Sequence, residues 1–134
     1  MGRLVGRMAP YTGTIKPSIL ELSEGYARVQ MKDRPGLRNH LNSVHAIALM
    51  NLGEVSTGVA MLSRLPEGAR AIIVHLGMDY AKKARGPITA ECHAPLVDAT
   101  ERREYEVTAE LKDESGAVVA TAQATWLVGP GRAS

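Results

Sequence analysis

Hydrophobic and polar positions along the chain follow two different periods, and the change between them marks the elements. Residues 18–31 alternate in two short runs, Ile19–Leu22 and Tyr26–Met31, about Ser23-Glu24-Gly25, which predicts a strand pair. Lys32-Asp33-Arg34-Pro35-Gly36 has the chemistry of a turn. Residues 43–65 then carry the one long helical pattern: Ser43 or Asn42 can cap its start, and Pro66 with Gly68 marks its end. Apolar side chains from Ala46 to Leu62 cover most of its circumference, so the expected helix is buried nearly all round. Gly53 and Gly58 each cost about 1 kcal/mol against alanine in a helix, and their expected use is close approach of another backbone.

Beyond Gly68 the period falls to two. Ala71–Met78 is a β-branched run, and Ile88–His93 and Arg103–Leu111 alternate. Asp113-Glu114-Ser115-Gly116 reads as a turn leading into a strand over Val118–Val128. Val107, Ala109 and Leu111 share one face of the resulting hairpin. Two strands, one buried helix and four more strands joined by short connections predict an α+β domain. Its curved antiparallel sheet wraps around one long central helix. The expected organisation is an N-terminal extension over 1–17, the domain over 18–128 and a disordered Gly/Pro tail over 129–134.

Composition narrows the function. With 45% apolar and 22% charged residues in 134, the chain is an ordinary single globular domain. The absence of Phe and a net charge of only +2 argue against a nucleic-acid binder. One cysteine, Cys92, allows no intrachain disulfide and no Cys-rich zinc site, and the four histidines lack metal-ligand spacing. The longest apolar segment is interrupted by His45, Asn51 and Glu54 and is not a membrane span, and no signal peptide is visible. The expectation is a cytoplasmic protein with no membrane or nucleic-acid partner.

The helix carries the candidate chemistry. Asn39 stands six positions before His45, the pair Ala46-Ile47 follows, and Glu54 comes nine positions after the histidine. This stretch resembles the active-site helix of hotdog-fold acyl-CoA thioesterases of the phenylacetate-pathway type, and in particular a divergent hotdog subfamily, DUF4442, known only as a domain of unknown function. That family pattern has an asparagine, a His-Gly-Gly triplet and an acidic residue at the same intervals; here both glycines are replaced, by Ala46 and Ile47. The resemblance spans roughly residues 18–128 and implies the hotdog fold, an acyl-CoA substrate, no separate cofactor and a homodimer or dimer of dimers.

Chemistry gives each residue a role. Thioester hydrolysis needs a donor for the developing oxyanion and a base or nucleophile. The N–H of Ala46, in the first helical turn, can serve as the donor, and Glu54 as general base on water or as nucleophile. Asn39 is a candidate for holding the carbonyl or the water, His45 for orienting the helix start, and Thr57 for supporting the carboxylate or a water. Ala46 and Glu54 lie roughly 12 Å apart along a helix axis, and His45 and Glu54 project to opposite sides. One chain cannot bring both groups to one carbonyl, whereas two antiparallel helices about a two-fold can. Lys82, Lys83, Arg85 and Gly86 form a basic turn between strands, the candidate clamp for coenzyme A phosphates. Cys92 and His93 are neighbours on a strand and point to opposite faces, which argues against a catalytic pair. A non-catalytic acyl-CoA or fatty-acyl binding protein is the alternative on the same fold. A dehydratase fits the His-to-acid interval poorly.

Overall fold

The computed structural model describes residues 17–32 and 46–130. Among these residues six strands and one helix follow in the expected order: β1 (Ser18–Ser23), β2 (Tyr26–Met31), α1 (Ala46–Leu62), β3 (Arg70–Tyr80), β4 (Ile88–His93), β5 (Arg103–Lys112) and β6 (Val118–Gly129). They form one sheet in the order β1-β2-β4-β5-β6-β3, with every neighbouring pair antiparallel. The hairpin turns after β1 and β5 each use a glycine at positive φ, Gly25 at 80° and Gly116 at 86°. In the second, Asp113 Oδ1 accepts bonds from the Ser115 hydroxyl (2.6 Å), the Ser115 N–H (3.0 Å) and the Ala117 N–H (3.1 Å). The Ser115 hydroxyl first, then the Ala117 N–H and the Lys82 ammonium, hold its carboxyl down at about 2.

Alternation along the strands creates the core. Val107, Ala109 and Leu111 of β5 are buried, as are Ala27, Val29 and Met31 of β2 and Ile88, Ala90 and Cys92 of β4. The register aligns small side chains across the sheet: Ala27 pairs with Cys92, Cys92 with Ala109, and Ala109 with Ala122. This row is a shallow trough, and α1 lies in it. A Cβ on Gly53 would stand 2.6 Å from Cβ of Ala122, so the glycine is what lets the helix seat on β6. The close approach expected at Gly53 is therefore found, at a β-strand.

Each end of α1 is tied to the sheet. At its start the Tyr80 hydroxyl, at the end of β3, donates to the carbonyl of Ala46 at 3.0 Å. Past its end the Gly25 N–H donates to the Ser63 hydroxyl at 2.8 Å. The helix stops before the expected residue 65. Arg64 and Leu65 donate to the carbonyls of Met61 and Leu62, an i→i−3 turn that tightens the chain ahead of Pro66.

The helix is not closed on all sides. Ile47 is 69% exposed, and Met50, Asn51 and Glu54 are only half-buried. These positions, spaced i, i+3, i+4 and i+7, form one open stripe. The other open feature is β3, an edge strand of 11 residues on which Ile72, Val74 and Tyr80 are exposed. No helix among the described residues is long and apolar enough to cross a membrane.

Candidate active site

The first turn of α1 is open to solvent. Ala46 and Ile47, the first described residues of the helix, are exposed, at the end that carries the positive pole of the helix dipole. The Tyr80 bond to the Ala46 carbonyl fixes this turn against β3. Partial burial raises the Tyr80 hydroxyl pKa above its ordinary value, so it is a protonated donor at neutral pH.

Glu54 lies on the open stripe, half-buried beside Met50 and Asn51. Among the described residues no hydrogen bond or ion pair reaches its carboxylate, and it stands eight residues, roughly 12 Å, down the helix from Ala46. The two groups are therefore held apart in one chain. Asn39 and His45 lie outside the described residues, as do the capping candidates Asn42 and Ser43.

Thr57 does not take the place expected of it. It is fully buried; its hydroxyl donates to the backbone carbonyl of Gly53 (2.9 Å) and also lies 3.1 Å from that of Glu54. It accepts from the Trp126 indole N–H at 3.1 Å. Its one proton is committed to the helix backbone, so it has none to donate to the Glu54 carboxylate. Its place on the inner side of the helix is set by the seat of α1 on β6, which one chain's helical pattern does not reveal.

The basic loop begins two residues, about 7 Å of backbone, after Tyr80, the residue whose hydroxyl reaches the helix start. Its charge is smaller than the sequence suggests. Lys82 pairs with Asp113 at 3.3 Å, because Ala81 and Lys82 both donate to the Val119 carbonyl and bring the loop against the β5–β6 turn. Gly86, at φ 74°, is covered by Glu114, whose Oε1 would lie 3.1 Å from a Cβ there. Lys83 and Arg85 remain exposed.

Cys92 is fully buried on the inner face, and burial pushes its thiol up to about 12, while exposed His93 stacks at 4.7 Å on the Tyr26 ring on the other face. The pair is split, as strand geometry requires, and the thiol is unreactive. No group of three or more His, Cys, Asp or Glu side chains converges on a metal position among the described residues. The contacts of Tyr80 with Ala46 and of Trp126 with Thr57 are not readable from the sequence, since each joins residues 34 or more positions apart. Only the position of Tyr80, directly ahead of the basic loop, hinted at the first.

Comparison with known proteins places this geometry in a family. The model of the family described as Domain of unknown function (DUF4442) matches residues 1–128. No curated protein matches the chain. Among solved structures, a structural-genomics protein, APC5556, is 30% identical, with 97% of this chain and 88% of that one covered and a TM-score of 0.83. A protein of unknown function from Pseudomonas aeruginosa, named a probable thioesterase, is 24% identical over 96% of this chain and 93% of its own, with a TM-score of 0.83. A mutant of the phenylacetic acid degradation protein PaaI from Thermus thermophilus is 21% identical over 89% and 98%, with a TM-score of 0.75. The six-stranded antiparallel sheet around one helix is the hotdog fold, and the chain belongs to the DUF4442 family, a domain of unknown function.

Proposed function

We propose that the protein is an acyl-CoA thioesterase in which the Ala46 N–H of one protomer binds the thioester oxyanion and Glu54 of the other supplies the base or nucleophile. One observation carries the reading: the exposed helix start is bonded through Tyr80 to the strand that runs directly into the cationic loop. The coenzyme A phosphates, a pantetheine arm away from a thioester carbonyl at the helix end, would be met by this loop, with Lys83 and Arg85 as the main contacts and Lys82 and Gly86 contributing less. Hotdog-fold thioesterases among the solved structures support the class of substrate.

The roughly 12 Å between Ala46 and Glu54 calls for a second copy. The exposed edge of β3 suits it, since an apolar edge of this length, charged only at Arg70 and Asp79, is a template for strand pairing. Pairing about its centre would join the two sheets, and the open stripe on α1 offers a face for the partner's helix. In this assembly Asn39 would act on the carbonyl or the water, and His45 would orient the helix start.

The alternative, a non-catalytic acyl-CoA binding protein, draws on Ile47, whose exposed branched side chain stands beside the donor where a glycine would leave room. A panel of acyl-CoAs, with free thiol followed, separates the two. The thioesterase releases thiol from at least one acyl-CoA and loses this activity in Glu54→Ala. If no chain length gives thiol while coenzyme A binds, the binding protein is the right reading. Neutralising Lys83 and Arg85 together should weaken coenzyme A binding by about 10-fold or more, and neutralising Lys82 alone by less than about 3-fold. A monomer at assay concentrations contradicts the composite site.

A further inference from the structure

We propose that Tyr80 is a positioning residue for the thioester carbonyl: its hydroxyl holds and polarises the Ala46–Ile47 peptide, so that the Ile47 N–H joins that of Ala46 as a donor. This rests on the thioesterase reading and extends its donor set.

The carbonyl of Ala46 and the N–H of Ile47 belong to one planar peptide unit, so a bond that fixes the carbonyl also fixes the direction of the amide. Tyr80 makes that bond at 3.0 Å. The tyrosine is itself anchored: it pairs with Ala120 of β6, and the next residue, Ala81, donates to the Val119 carbonyl at 2.8 Å. The helix start is thereby clamped to the sheet at the turn that would otherwise fray. Satisfying an unpaired group does not explain the contact. An α-helix already gives the Ala46 carbonyl a donor four residues on, and a half-exposed hydroxyl can bond to water instead.

What the contact does add is electronic. A carbonyl that accepts a further hydrogen bond makes the amide on the other side of its peptide a stronger donor, by about 10–30% per bond. The donor so strengthened, Ile47 N–H, lies next to Ala46 N–H at the exposed helix start.

Removing a whole oxyanion donor costs about 10²–10³ in kcat; losing only the group that orients and polarises one should cost about 3- to 10-fold. The test is Tyr80→Phe, which keeps the ring and removes the hydroxyl. Steady-state thiol release should show kcat lower by that factor with KM within about 2-fold, and the thermal midpoint lower by no more than about 4 °C, the effect of one hydrogen bond. The ¹⁵N–¹H resonance of Ile47 should move more than that of any other α1 amide. A kcat equal to the parent's, a change confined to KM, or an unmoved Ile47 amide overturns the proposal while leaving the thioesterase reading intact. A parent that releases no thiol from any acyl-CoA overturns both.

Discussion

Replacing Gly53 with alanine sets two effects of opposite sign against each other. Helix propensity favours the alanine by about 1 kcal/mol. Packing opposes it, because the new methyl carbon would stand 2.6 Å from Cβ of Ala122, where carbons in contact lie about 3.5–4.0 Å apart. Helix and strand must part by about 1 Å. Both atoms are Cβ carbons fixed to backbone, so no rotamer change relieves the clash, and α1 is tied to the sheet by the Tyr80–Ala46 and Gly25–Ser63 bonds. Overpacking in a close-packed core costs about 1–3 kcal/mol, and at an anchored contact the upper part of that range applies. The net result is destabilisation by about 1–2 kcal/mol, a thermal midpoint lower by about 3–6 °C. The single tryptophan, Trp126, is buried and bonded to Thr57 one turn from Gly53, so its emission during urea titration reports on this packing. Protein concentration must be held fixed, since subunit association would add to apparent stability. Ala122→Gly in the Gly53→Ala background frees the space, and the two changes should couple by at least about 1 kcal/mol. A Gly53→Ala protein more stable than its parent by about 1 kcal/mol, with no coupling to Ala122, would refute the proposed helix seat.

Thr57→Val keeps the side-chain volume but leaves the buried Trp126 N–H without its acceptor, so stability should fall by about 1–3 kcal/mol in the same titration. Its kcat for thiol release should stay within about 3-fold, because the hydroxyl faces the core; a loss of 100-fold or more would return Thr57 to the reacting groups. Acid should act partly through Asp113. Its folded carboxyl titrates at about 2, below the ordinary 3.8, so its stabilisation is complete above about pH 4 and is lost as pH falls from there through about 2. Thermal midpoints across that window should fall less steeply for Asp113→Asn than for the parent, and equal slopes would show that the turn carries no linkage.

The strands were legible where pattern and turn chemistry agree. β2 and β4 have the expected limits because their alternation is unbroken and their ends meet turn or loop residues. β3 outruns its β-branched run at both ends because pairing with β6 carries it on, and the irregular register between Ile73 and His75 hides its period. The helix was read as buried all round because an apolar count treats Ile47 and Met50 like core residues. What distinguishes them is the lack of a sheet beneath them, a property of the fold and not of local sequence. The candidate site divides in the same way. Glu54 and the Ala46 amide follow from spacing along one helix and the resemblance it carries. The neutralising of Lys82 by Asp113, the cover of Glu114 over Gly86 and the grip of Tyr80 on the helix start are contacts between distant segments. No motif encodes them.

The composite site can be tested by mixing two damaged chains. Glu54→Gln removes the base, and Ala46→Pro removes the donor N–H at a position in the first helical turn, where proline is tolerated. Each protein alone should be nearly inactive in thiol release. Unfolded and refolded together in equal amounts, they should form mixed dimers in which one of the two sites has an intact Ala46 from one chain and an intact Glu54 from the other. Random pairing then restores roughly a quarter of the parent's activity. A refolded mixture no more active than its two components would contradict a site shared between protomers.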